Sequence, residues 1–297
     1  MKMPDEKIQL MIIGAQKAGT TSLKNYLVCH PHVEAHLQNE ITCFINEHEY
    51  RNNHYDIKGL YFNHCKRNSV LVAKSVGVMY SKLALERVYA HNPSIKIALI
   101  LRDPVDRAYS AFWYARRKGW EPLEKFEDAL HAASDRFGDN WIGRGNCDYL
   151  NRGAYSIHVA NIYKIFPREN IKIFKFEDLR RDAQNVCDDL WCELGVDRAL
   201  VKLPATSKRH NISAMPRYPE LTKLLNNFVI PTSLAAKFPR NLLREIKRKI
   251  NNFNEKPFTP PPMEIETEKF LRDYYKKFNA ELEHLTEIEV SSWKQPE

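Results

Sequence analysis

The stretch Ile12-Ile13-Gly14-Ala15-Gln16-Lys17-Ala18-Gly19-Thr20-Thr21-Ser22 joins an apolar run to a polar one. Its glycines are spaced like those of a phosphate-binding loop. In nucleoside-triphosphate enzymes that loop reads G-x-x-x-x-G-K-[ST], with lysine directly after the second glycine. Here Gly14 and Gly19 keep the spacing and Thr21 keeps the hydroxyl, but Thr20 stands at the lysine position and Lys17 lies inside the loop. The stretch follows a predicted strand and opens a predicted helix, the context that such a loop requires. Amide groups at a helix amino end point outward, and the helix dipole favours an anion there. The competing reading is an ordinary strand-to-helix turn capped by Thr20.

Outward from this stretch, short apolar runs recur at Gln9–Ile13, Val70–Ala73, Lys96–Leu101 and Ile171–Phe176. They are rich in Ile, Leu and Val and too apolar for one wet face, as buried parallel strands are. Helical patterns cover Thr20–Cys29, Leu83–Ala90, Val105–Arg116, Ser156–Ile165, Ala183–Leu194 and Glu264–Leu285. The alternation predicts an α/β fold, an open parallel sheet with helices on both faces, of the kind seen in P-loop NTPases. At 297 residues the chain can form one domain with insertions. Residues 118–150, with Trp120, Trp141 and four glycines, read as an excursion over one sheet edge and a substrate lid. Residues 231–262 read as an irregular basic, Pro-rich segment before the last helix.

A second motif lies where the Lys96–Leu101 strand ends, in Ile100-Leu101-Arg102-Asp103-Pro104-Val105-Asp106-Arg107-Ala108-Tyr109-Ser110. Ligands of open parallel sheets bind beyond the carboxyl ends of the strands. Arg102 leaves the strand there and can offer a planar fork to a phosphate. Ser110, further along the helix, can add a hydroxyl to the same phosphate. Asp103 as the metal-holding acid of an NTPase is the rival reading, made less comfortable by Arg102 before it and Pro104 after it.

Together the two stretches resemble the 5′-phosphosulfate loop and the 3′-phosphate motif of sulfotransferases that use 3′-phosphoadenosine-5′-phosphosulfate (PAPS). The likeness is to the branch shared by heparan-sulfate sulfotransferases and their bacterial relatives. The family pattern I-I-G-x-x-K-x-G-T-T-x-L is matched by Ile12 through Leu23, and L-R-x-P-x-x-R-x-Y-S by Leu101 through Ser110. Arg152-Gly153-Ala154-Tyr155 is similar to the family's G-x-Y, and Phe176-Glu177-Asp178-Leu179 to its E-D-L strand end. Phe278-Asn279 and Ser291-Ser292-Trp293 resemble its last helix and tail.

This resemblance implies an in-line attack of an acceptor oxygen or nitrogen on the sulfur of PAPS, with 3′-phosphoadenosine-5′-phosphate (PAP) leaving. It implies a loop of Gln16, Lys17, Ala18, Gly19, Thr20, Thr21 and Ser22 around the 5′-phosphosulfate, with Lys17 stabilising charge on the leaving oxygens. A sulfuryl group carries less charge than a γ-phosphoryl, so a lysine can replace Mg²⁺ and no metal is expected. Arg102 and Ser110 would hold the 3′-phosphate, and Tyr155, Arg209 and Lys256 would complete the nucleotide site. Glu40, in Asn39-Glu40-Ile41-Thr42-Cys43-Phe44, matches the glutamate of the family's K-E-P-x-x-F and is the expected general base. Lys74, in Val72-Ala73-Lys74-Ser75-Val76-Gly77-Val78, matches its K-[ST]-P-x-Y and would assist Lys17. Val76 and Val78 replace the proline and tyrosine, and Tyr80 is the candidate to supply the lost ring. Thr42 and Ile45 stand where glycan-sulfating relatives often carry a histidine and a second acid.

The remaining signals set the acceptor and the compartment. A net charge of +8 points to an anionic partner. Six cysteines without a C-x-x-C pair read as reduced thiols, and no signal or membrane stretch is expected, which makes a cytoplasmic enzyme the expectation. Six of the eleven histidines lie between His30 and His64, yet no H-E-x-x-H or Cys/His zinc spacing accompanies them, and His48 or His54 lining an acceptor pocket is the alternative use. The expected partner is a small polar metabolite such as an alkaloid rather than nucleic acid; a glycan or lipid-linked sugar is the alternative acceptor. A Mg-ATP kinase is the rival enzyme, and a basic nucleic-acid binder the rival of another class.

Overall fold

Leu10–Gly14 (β1) is buried at every residue, so nothing in it alternates between a wet and a dry side. It is the centre of a five-stranded sheet with Val33–Ala35 (β2), Val70–Lys74 (β3), Lys96–Leu101 (β4) and Ile171–Lys175 (β5). The order is β2-β3-β1-β4-β5, and every pairing is parallel. The register sets Ile12 beside Lys74 and Gly14 beside Leu99, and Leu101 beside Lys175. The computed structural model describes residues 7–54, 56–135, 147–204, 214–218, 220–222, 224, 249–250 and 253–294.

The chain leaves β1 toward β2 and β3 on one side, then crosses from β3 past β1 to β4 on the other. Right-handed crossovers in opposite directions place their helices on opposite faces. Thr20–Leu27 (α1) and the helix Ala183–Glu193 pack together on one face, where Trp191 Nε1 donates to Leu27 O at 3.2 Å. The helices Lys82–His91 and Tyr155–Tyr163 pack together on the other. The α/β sheet flanked by helices is thus the fold read from the sequence.

Two features differ from that reading. The three-residue β2 has no apolar run long enough to signal a strand; it forms by pairing Val33, Glu34 and Ala35 with Val70, Leu71 and Val72. Phe176 opens the helix Phe176–Arg181 instead of closing β5, so Glu177-Asp178-Leu179 lies in a helical turn and not at a strand end. Two acids in that first turn complement the helix dipole.

Contacts divide the described residues into two units, the division falling within the helix Pro104–Arg117, after Arg107. The first unit holds the sheet, the helices on its two faces and the carboxyl part of the chain from Lys269. The second comprises 108–150 and 209–268. Its core is aromatic: Phe112, Phe126 and Tyr149 are buried against one another. Ala214–Pro216 (β6) pairs antiparallel with Glu255–Pro257 (β7) there. The stretch 118–150 contributes the helix Phe126–Asp135; Trp141 and Gly138, Gly143 and Gly145 lie outside the described residues, as does most of 231–262. Among the described residues no helix is long and apolar enough to cross a membrane.

Candidate active site

The carboxyl ends of β3, β1 and β4 lie side by side, and the chain reverses direction across the sheet between β1 and β4. That is the switch point at which open α/β sheets bind ligands. At this point Ala15 N donates to Ile100 O at 2.7 Å, tying the loop after β1 to β4. Gln16 N donates to Tyr80 Oη at 3.2 Å, tying it to the far side of β3. Lys17 and Gly19 both have left-handed backbone, with φ of 67° and 85°. Glycine adopts this freely, whereas for lysine it costs about 1–2 kcal/mol. A side chain on Gly19 would also press on Phe176 and Leu179 at 3.1 and 3.2 Å.

Gly19, not Thr20, is the residue before α1, and no side chain caps the helix or places an acid in its first turn. The amino end of α1 therefore keeps its N–H groups and its positive dipole end for another partner. Of the predicted loop residues, Gln16, Ala18 and Thr20 are buried, Lys17, Gly19 and Ser22 half-buried, and Thr21 exposed.

Beside this loop, at the end of β3, Lys74 is almost wholly buried and gives its Nζ to Glu40 Oε1 at 2.8 Å. The other oxygen, Glu40 Oε2, accepts from Val76 N at 3.1 Å. The structure thus brings Glu40 and Lys74 together in an ion pair, a pairing that neither motif specified. His36, on the segment after β2, accepts from Lys74 N through Nε2 at 3.0 Å. Burial, with Lys24 and Lys74 adding to it, pushes His36 down to about 3, so it is neutral and its proton sits on Nδ1. Lys24 of α1 donates to His36 O and Gln38 O, both at 3.2 Å. Neither Lys24 nor His36 was legible as a site residue: the sequence offered only His32 and His36 at a metal-like spacing, and His32 N instead donates to His30 Nδ1 at 3.2 Å.

At the end of β4, Arg102 Nη1 reaches Lys17 O at 3.4 Å and Nη2 reaches Asp106 Oδ2 at 3.3 Å. Its guanidinium lies 5.2 Å from the Phe176 ring centre. Tyr155 is buried, and its hydroxyl donates to Arg102 O at 2.9 Å; it therefore holds the strand end. Asp103 spends Oδ1 on Val105 N at 2.8 Å and Oδ2 on Arg272 Nη1 at 3.2 Å, a helix cap and an ion pair. Tyr80 receives Gln16 N on its hydroxyl, and the Arg152 guanidinium stacks 4.7 Å over its ring.

Ser110 and Lys256 belong to the second unit: Ser110 is half-buried on the helix Pro104–Arg117, and Lys256 is exposed on β7 opposite Met215. Arg209 lies outside the described residues. His48 is exposed on the helix Glu47–Asn53, and His54, just after it, stacks on Tyr50.

Buried polar atoms are normally hydrogen-bonded, so exceptions call for an explanation. Gln16 Oε1, Gln38 Oε1, Ser75 Oγ and Arg102 Nε find no partner among the described residues. All four lie on the segments leaving the carboxyl ends of β1, β2, β3 and β4. This edge carries donors and acceptors to spare, lysine and arginine charge, and an uncapped helix end, and so fits an anionic nucleotide.

A family model described as "Sulfotransferase domain" matches residues 7–199. The chain belongs to the sulfotransferase domain family. Members of this family use PAPS. Bifunctional heparan sulfate N-deacetylase/N-sulfotransferase 3 of Homo sapiens is 28% identical over 294 residues, 96% of this chain and 30% of the relative. The corresponding protein 4 of Mus musculus is 28% identical over 296 residues, again 96% of this chain and 30% of the relative. The sulfotransferase domain chain thus spans less than a third of these relatives. Among solved structures, a sulfotransferase from Alicyclobacillus acidocaldarius superposes with a TM-score of 0.67 at 22% identity, over 97% of this chain and 99% of that one. It shares the fold.

Proposed function

We propose that this sulfotransferase moves a sulfuryl group from PAPS to a hydroxyl, amine or guanidine nitrogen of a small polar metabolite. The donor supplies an electrophilic sulfur with PAP as leaving group. The observation that carries the reading is the Lys74–Glu40 pair next to the Lys17 loop, at the carboxyl edge of β3 and β1. Glu40 takes the proton of the acceptor as it attacks. Lys74 orients that carboxylate, and Lys17 stabilises charge developing on the leaving oxygens. Arg102, fixed by Tyr155 beneath it, takes the 3′-phosphate. Residues Gln16 to Ser22 bind the 5′-phosphosulfate through their amides and hydroxyls. Ser110, Arg209 and Lys256 enter this reading through the likeness of their motifs alone.

For the acceptor, Thr42 Oγ1 donates to Glu49 Oε2 at 2.6 Å and Thr42 N to Tyr61 Oη at 3.2 Å. Both groups of Thr42 serve the protein, which supports an acceptor wall unlike that of glycan-sulfating relatives. The free state of all six cysteines supports work in a reducing, cytoplasmic setting.

A thermal-shift comparison tests the donor: PAP without metal stabilises the chain and Mg-ATP does not. No shift with PAP sinks the reading. Incubation with labelled PAPS and a panel of amines, guanidines, phenols and heparan-type oligosaccharides tests the acceptor. Label on the oligosaccharides alone would replace the small metabolite with a glycan.

A further inference from the structure

Lys24 sits on α1, one turn into the helix that begins where the phosphate loop ends. It is half-buried, and its Nζ closes two main-chain carbonyls, His36 O and Gln38 O. These two residues frame the turn that delivers Glu40. From the other side the same segment is tied to β3 and its exit. Lys74 N donates to His36 Nε2, Ile41 N donates to Lys74 O at 3.0 Å, and Lys74 Nζ and Val76 N hold the Glu40 carboxylate.

Residues 36–42 contain no helix or strand, so no regular backbone ladder holds the carbonyls of His36 and Gln38. An ammonium is suited to that task, because it offers three donors and no acceptor on a flexible stem. Burial and the Lys74 charge lower the Lys24 pKa, and Glu40 raises it, so the three groups share one field. A turn clamped between α1 and β3 moves with both. The phosphate loop leads into α1, and Lys74 ends β3, so one clamp ties the donor-binding loop to the base.

We propose that Lys24 is a positioning residue for sulfuryl transfer: by holding the carbonyls of His36 and Gln38 it sets Glu40 against Lys74 and in step with the loop at the start of α1. This rests on the reading of Glu40 as the base.

Lys24→Met removes the ammonium and keeps the stem, while Lys24→Arg restores a donor head. Hydrogen exchange is read on a peptide spanning 36–41, with the Ile41 amide as reporter. Exchange there rises about 10-fold or more in Lys24→Met and returns toward wild type in Lys24→Arg, because local opening follows the lost contacts. Affinity for PAP, by calorimetry, stays within about twofold in both. PAP release from PAPS, with the amine and phenol panel or with water as acceptor, falls roughly 10-fold or more in kcat at unchanged KM for PAPS, and Arg recovers it. Should Lys24→Met not fold, Lys24→Gln carries the same readouts. Unchanged exchange at Ile41 overturns the proposal, as does a loss of PAP affinity equal to the loss of turnover. Glu40→Gln separates the two claims. If it turns over like wild type, the base reading fails; if it is inactive while Lys24→Met keeps wild-type exchange and turnover, only the role of Lys24 fails.

Discussion

Lys74 is one of the most deeply buried charges of the first unit, and its ammonium stands 2.8 Å from Glu40 Oε1. The two residues are 34 positions apart and meet only because β2 and β3 are neighbours. A buried lysine tolerates its charge when a carboxylate faces it, and the carboxylate is aimed by the same contact. Removing either partner therefore affects both aim and stability.

Glu40→Gln lowers sulfuryl transfer by about 10²–10⁴, the range of a lost general base. Affinity for PAP is retained. Stability falls by about 1–2 kcal/mol, since Glu40 is 31% exposed and solvent screens part of what Lys74 loses. Turnover of labelled PAPS, calorimetry with PAP and a urea titration check the three parts; wild-type turnover removes the assignment.

Lys17 is both strained and central to the proposed chemistry. Lys17→Ala reduces transfer roughly 10²–10³-fold, as loss of a transition-state charge contact does. Lys17→Gly is equally inactive but more stable than Lys17→Ala by about 1 kcal/mol, because glycine accepts the left-handed backbone. Comparing the melting temperatures of the two variants tests the strain, and their turnover tests the role.

Arg102→Ala weakens PAP binding by about 1.5–3 kcal/mol, roughly 10- to 150-fold in Kd, the worth of a charge-assisted contact. Tyr155→Phe loses only the bond to Arg102 O, and weakens binding by about 1 kcal/mol or less. Equal effects of the two substitutions would place Tyr155 on the nucleotide itself.

Gly14→Ala disrupts the start of the loop, since a Cβ there would overlap Met79 Sδ and press on Leu99 Cδ2 at 3.2 Å. Overpacking of this kind costs about 1–3 kcal/mol. A companion Met79→Ala change opens a cavity of its own, but it removes the overlap. The double variant should therefore lose less than the sum of the two single losses, which denaturant titration of all three variants reads directly.

Two histidines make the fold acid-sensitive. Burial pushes His36 down to about 3, Lys24 and Lys74 adding to the effect, and pushes His91 down to about 4, with Lys7 adding to it. His91 Nε2 accepts from Ile8 N at 3.2 Å, so both imidazoles serve as neutral acceptors. The unfolded chain takes up these protons near its ordinary value of about 6.5 and the folded chain does not. Stability is therefore full above that pH and falls as pH drops through it, by up to about 1.4 kcal/mol per unit for each histidine. The decline ends near the folded values. Denaturant midpoints between pH 7 and 5 check this, and His36→Gln should flatten the slope.

Much of this protein can be read along the chain. The apolar runs name four of the five sheet strands, since a strand buried on both faces needs no partner to look apolar. The Gly14–Gly19 spacing and Arg102 at a strand end are legible for the same reason: the loop, helix start and strand end are local structures set by nearby residues. The three-residue β2, the helix at Phe176, the Lys74–Glu40 pair and the Lys24 clamp are of another kind. Lys24 reaches Gln38 across 14 positions, Tyr155 reaches Arg102 across 53, and Gln16 reaches Tyr80 across 64. Those meetings depend on strand order and register, which place the ends of β3, β1 and β4 in one row. Periodicity carries no record of which strands become neighbours, so the residue types could nominate Glu40 and Lys74 but only their folding into adjacent strand ends could join them.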